Sequence, residues 1–177
     1  MIKLNFKFLP LLVFVTFPLF ATDLEELGWS KDVDDFEGTV NYTIDAKPWA
    51  YGCDTSTLTG TYGLVSGEPK RKTPLTLAFY FYSVEDLRSE GELKWKTDSG
   101  TESKNFSCQN DYDDGWLRQC FVIGLDNSQA KSLSKTPFIR IDFPSKNIDL
   151  KSGGSNDCQS MYQSIIRITS DYAKASN

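Results

Sequence analysis

The sequence predicts a mainly β domain, an antiparallel β-sandwich or open barrel with a carboxy-terminal α-helix, stapled by disulfides. Three observations carry that expectation. Several segments alternate apolar and polar residues between turn signals. One helical stripe stands near the end of the chain. Four cysteines follow an amino terminus that reads as an export signal.

That amino terminus, "MIKLNFKFLPLLVFVTFPLFA", has Lys3 and Lys7, then an apolar run from Phe8 to Phe20, then Ala21. Residues 1–21 therefore read as a secretory signal peptide, and a periplasmic or secreted location follows. The run is broken by Pro10 and Pro18 and falls short of the roughly 18 apolar residues a span requires, so no membrane span is expected. Residues 22–38 hold seven acids between Asp23 and Glu37 against one lysine. They read as an acidic segment, solvated and partly mobile. Residues 39–177 then form a single β-rich domain ending in a helix, a usual size for one core.

From Thr39 the period is two. In "TVNYTID", Val40, Tyr42 and Ile44 share a face. In "PLTLAFYFYSV", Leu75, Leu77, Phe79 and Phe81 point one way and Ala78, Tyr80 and Tyr82 the other, so this strand belongs in the sheet's centre. "GELKWKTDSG" sets Leu93 and Trp95 against Lys94 and Lys96, then turns at Asp98, Ser99 and Gly100. "CFVIGL" and "PFIRIDF" are further strands, with weaker signals at "GTYGLV" and "NIDL", about seven in all. "DNSQAKSLSK" predicts a short helix capped by Asp126 or Asn127 and stopped by Pro137. "SNDCQSMYQSIIRITSDYAKA" predicts a longer one, capped by Asn156, with Cys158, Met161, Tyr162, Ile165, Thr169 and Tyr172 on its buried stripe.

The cysteine spacings contain no C-x-x-C pair, which argues against a metal cluster and for disulfides. Proximity in sequence favours Cys108 with Cys120, leaving Cys53 for Cys158. The chain has no histidine, which removes Ser-His-Asp and Cys-His catalysis and most zinc sites. A Ser-x-x-Lys spacing occurs at Ser128 and Lys131 and again at Ser132 and Lys135, in ordinary surface residue types. A hydrolase using two carboxylates ranks third among the readings. No cofactor and no metal are expected, and no catalytic residue is assigned.

The net charge of −5 argues against nucleic acid and anionic membranes and for a basic partner. Between Cys108 and Cys120 the chain reads "CQNDYDDGWLRQC". Aligned on Gly115, this loop fails the EF-hand pattern, because Tyr112 falls where an oxygen ligand belongs and no glutamate closes the loop. Its content suits protein recognition instead. Asp111, Asp113 and Asp114 supply charge, Tyr112 and Trp116 supply contact area, and the staple limits the entropy lost on binding. The expectation is a non-enzymatic binding protein that occludes an exported enzyme or toxin, as an inhibitor or immunity protein does. The alternative is a carbohydrate- or envelope-binding module using Trp49, Tyr51 or Trp95. Across the second half of the chain, the order of stapled loop, short polar helix, strand and closing segment resembles the layout of small exported bacterial β-domains of the invasion-associated locus B type. No residue role is carried over from that likeness.

Overall fold

A computed structural model describes residues 24–46, 55–64, 72–82, 90–110, 117–144, 146–154 and 156–175. The expected signal peptide lies outside them. Among the described residues, nine strands make one antiparallel sheet: β1 Ser30–Asp34, β2 Thr39–Ala46, β3 Thr55–Leu64, β4 Leu75–Tyr82, β5 Glu90–Thr97, β6 Gly100–Asn110, β7 Leu117–Leu125, β8 Phe138–Phe143 and β9 Lys146–Lys151. Their order across the sheet is β1-β2-β3-β4-β7-β6-β5-β8-β9. Two helices complete the fold, α1 Asn127–Leu133 and α2 Asn156–Lys174. The architecture is thus mainly β with a carboxy-terminal helix, and helices rather than a second sheet cover the core.

The period-two pattern places that core. Register pairs Ile44 with Gly60, Leu58 with Phe79, Phe79 with Cys120, and Leu93 with Ile141. The inner face therefore carries Ile44, Leu58, Leu77, Phe79, Val122, Phe106, Leu93, Trp95, Ile139, Ile141, Ile148 and Leu150, all buried. The outer face carries the alternate, mostly polar residues. β4 lies fourth of nine, in the interior of the sheet as its apolar faces predict, and the outer-facing Ala78 is itself buried beside Phe121 of β7.

α1 starts with a capping box: the Asp126 side chain accepts from the Gln129 amide, and Gln129 answers to the Asp126 amide. α2 begins at Asn156 itself, where the sequence placed its cap. At 19 residues it is about 28 Å long, the distance that separates β3 from β9 at six strand spacings, about 29 Å. It packs on both. Its first half reaches the β8 side, where the Tyr162 hydroxyl donates to the Thr136 carbonyl at 2.6 Å. Its second half reaches β3, and the Tyr172 hydroxyl donates to the Thr73 carbonyl at 3.0 Å. Met161, Ile165, Ile168, Thr169 and Tyr172 are buried along it.

Two elements differ from expectation. The acidic segment forms edge strand β1 and ties the chain down before it: Leu24 and Trp29 are buried, and the Trp29 indole donates to buried Asp171 of α2 at 3.3 Å. Arg167, which donates to the Leu27 carbonyl, also faces Asp171 at 3.9 Å. The acids themselves stay exposed along β1, as a charged edge that resists pairing with another chain. Strand β6 was not expected at all, because Phe106 is the large apolar residue in an otherwise polar run.

At the β1–β4 end the core is aromatic. Tyr62 stacks on Tyr42 at 5.3 Å between ring centroids and meets Trp29 and Tyr172 edge-on at 5.4 and 5.0 Å. The Lys72 ammonium stands 5.8 Å from the centre of the Tyr62 ring, and burial lowers its pKa to about 8.

Two outcomes follow. A Cβ on Gly60 would stand 2.5 Å from Ile168 Cγ2, so Gly60→Ala should push α2 from the sheet and cost about 1–3 kcal/mol, read by urea unfolding. For Lys72, the unfolded chain holds its proton up to its ordinary pKa of 10.5 whereas the folded one releases it near 8. Its penalty is full below pH 8 and fades as pH rises through that window. Lys72→Met should therefore raise the urea midpoint at pH 7 and raise it less at pH 9.5.

Candidate partner-binding site

The expected recognition loop joins β6 to β7. Asn110 pairs with Arg118, Gln109 with Gln119 and Cys108 with Cys120, so these strands form an antiparallel hairpin whose last rungs lead into the loop. The Cys108–Cys120 disulfide joins directly opposed residues on the inner face, two rungs below it. Asp111, Tyr112, Asp113, Asp114 and Trp116 lie outside the described residues. Cys158 is disulfide-bonded, and its expected partner Cys53 also lies outside them.

Beside the base of this hairpin the outer face and sheet end form a groove of about 870 Å³, lined by Glu90, Glu92, Asn105, Phe106, Ser107, Cys108, Phe121, Asp142, Phe143 and Pro144, with Gly91 in its floor. The register explains the juxtaposition. Glu92 stands opposite both Asn105 and Asp142, while Ser107 stands opposite both Glu90 and Phe121. Gly91 is bare for a reason: a Cβ there would stand 2.4 Å from Phe106 Cζ and 2.6 Å from the Asp142 carbonyl. Phe106 in turn meets Phe143 edge-on at 5.1 Å within the buried core that backs this end of the sheet, and Phe121 is the aromatic residue that the outer face contributes.

Two of the groove's three carboxylates, Glu92 and Asp142, are tied to one ammonium. Lys94 bridges Asp142 and Glu92, the latter at 2.8 Å, and hydrogen bonds to those two groups hold the Lys94 pKa above its usual range. The charged part of the groove is thereby fixed in place; among the described residues its lining carries three carboxylates and no cation, and on the next outer-face rung Lys94 stands opposite Arg140, which is itself paired with Asp149. Such a site suits a cationic group with an apolar stem. Among the described residues no group of three or more Cys, Asp or Glu is placed to hold a metal ion, and no helix is long and apolar enough to cross a membrane.

A second groove, of about 510 Å³, is uncharged. Asn41, Thr43, Thr61, Gly63, Thr73, Pro74, Thr76 and Gly124 line it together with Tyr62. Register aligns Thr43, Thr61 and Thr76 side by side on β2, β3 and β4 of the outer face.

Other candidates found structural employment or lie elsewhere. Trp95 is 1 % exposed; its indole donates to Ser132 Oγ at 3.1 Å, and that hydroxyl donates to Glu102 at 3.1 Å. Trp95 therefore offers no face to a sugar, and Ser132 is engaged in packing α1 onto β5 and β6. Lys135 lies beyond the end of α1, exposed. Trp49 and Tyr51 are outside the described residues. The groove acids Glu90, Glu92 and Asp142 were not singled out in the sequence. The signal available was the alternation of "GELKWK" and "FIRIDF", which assigns Glu92 and Asp142 to one face without showing that the two strands are neighbours.

No protein-family model, no curated protein and no solved structure matches this chain.

The staple is the testable part of the hairpin. The Cys108–Cys120 bridge closes a loop of about 13 residues, so the double replacement Cys108→Ser with Cys120→Ser should cost roughly 3 kcal/mol in urea unfolding, against an oxidised reference with all four cysteines.

Proposed function

We propose that the protein is an exported, non-enzymatic binding protein that occludes a basic enzyme or toxin, acting as an inhibitor or immunity protein. The observation that supports this reading is the acidic groove beside Phe121 at the base of the stapled hairpin. An arginine or lysine side chain of the partner would lay its stem along Phe121 and its charge against Glu90, Glu92 and Asp142. In this reading the sequence from Asp111 to Trp116 contributes three further acids of the same sign and, in Trp116, an aromatic anchor. Export supplies the oxidising compartment that the disulfides require.

A second reading, a carbohydrate- or envelope-binding module, draws on the uncharged groove. Threonine hydroxyls and methyls alternate there, which suits the mixed polar and apolar edges of a sugar, and no charge competes.

One experiment separates the two. Oxidised protein is immobilised and exposed to the host's exported and envelope fractions, with low-salt and high-salt washes, in parallel with a neutral glycan array. Occlusion predicts one basic protein, held at low salt and released at high salt, and lost from the triple variant Glu90→Gln, Glu92→Gln, Asp142→Asn, in which Lys94 leaves the groove positive. Glycan binding that persists in high salt and survives the triple variant would transfer the assignment to the uncharged groove.

A further inference from the structure

Among the described residues, the large apolar side chains that remain exposed are Val33, at 49 %, and Phe36, at 98 %. Both belong to the β1–β2 hairpin. Scattered single apolar residues are ordinary on a protein surface, but this pair sits within four positions on one rigid turn. The Asp34 carboxylate accepts from the Phe36 amide at 2.9 Å and from the Glu37 amide at 3.1 Å. Gly38 takes φ +66°, the left-handed geometry that closes the turn. The aromatic ring is therefore presented by a turn fixed by its own hydrogen bonds, which lowers the ordering cost of burying the ring in a partner.

The setting of the ring selects the partner. Asp32, Asp34, Asp35 and Glu37 surround it along the hairpin, with Lys31 the one cation in the stretch from 24 to 38. A membrane surface bearing anionic lipid repels that frame, and so does nucleic acid. Neither groove described above fits it on a second copy of this chain, since one is acidic and the other is lined by hydroxyls. What complements an exposed phenyl ring inside a ring of carboxylates is an apolar pocket rimmed by lysine or arginine on another protein.

We infer that the β1–β2 hairpin is a second docking arm, with Phe36 as the anchor inserted into a basic-rimmed apolar pocket of a partner protein. The arm does not rest on the acidic groove. Strand register places the β1–β2 turn at the same end of the sheet as the β5–β6 turn, opposite the stapled β6–β7 hairpin. Two separate contact sites follow, one at each end.

The test is photo-crosslinking with the full oxidised protein carrying Phe36→p-benzoylphenylalanine, against a control carrying the same group at the exposed Asp98 of the β5–β6 turn at the same end of the sheet. Both are irradiated in the host's exported and envelope fractions. The expected result is a protein adduct specific to position 36, mapped by mass spectrometry to an apolar pocket flanked by Lys or Arg. Unlabelled wild type should compete that adduct away, and Phe36→Ala should compete at least about tenfold more weakly while keeping the wild-type urea midpoint. The groove variant Glu92→Gln, Asp142→Asn should compete like wild type, which separates this arm from the groove. Equal adducts from positions 36 and 98, adducts to lipid or to a second copy of the chain, or equal competition by Phe36→Ala would each overturn the inference.

Discussion

The close approach of α2 to the sheet at Gly60 is the contact on which the remaining architecture depends. Ile168 of α2 occupies the space that any side chain at position 60 would need. With the helix that near, Met161, Ile165 and Ile168 reach the inner faces of strands that are far apart in the sheet's order. One helix thus does the work of a second sheet. Because α1 and α2 together cover the inner face, the outer face and the turns at the two ends of the sheet are what the described residues leave open to a partner.

Both grooves follow from that division. On the outer face the residues alternate with core residues, so their positions are fixed by the same register that buries Leu93, Phe106 and Ile141. Glu92, Asp142 and Lys94 are held as a set because their neighbours in the strand point into the core. A one-residue slip in β5 would bury the charges and expose Trp95. The core therefore fixes the geometry of the site as well as stabilising it.

How much of this was legible in the sequence depends on how local each signal is. The strands at Val40, Leu75, Leu93 and Phe138 were readable because alternation is a property of the segment alone. Both helices were readable for the same reason, α1 from its cap and α2 from its stripe. Strand β6 was hidden because inward-facing Glu102 and Lys104 break the apolar alternation. Each is satisfied by a tertiary partner, Ser132 for Glu102 and the Gly124 carbonyl for Lys104 at 3.0 Å. The acidic segment looked like a solvated tail because its charges dominate its composition, yet Trp29 and Leu24 anchor it to α2 and to the core. The groove was illegible for a third reason: neighbouring strands β5 and β8 are separated by three intervening elements, and no local pattern announces their pairing.

Charge along the sheet edges has two consequences that reinforce each other. Strand β1 is exposed throughout and carries Asp32 and Asp34, and β9 exposes Lys146, Asp149 and Lys151. Asp149 is itself bound by Arg140 at 2.6 Å, a pairing that holds its carboxyl below the usual range. Charged edges of this kind prevent sheets of separate copies from joining. A net charge of −5 adds a long-range repulsion between copies and an attraction to basic proteins. The composition that disfavours edge-to-edge pairing of copies is therefore the same one that, in the proposed function, would favour a cationic partner. On that proposal, specificity would fall to the groove and the β1–β2 turn, where Phe121 and Phe36 stand among carboxylates.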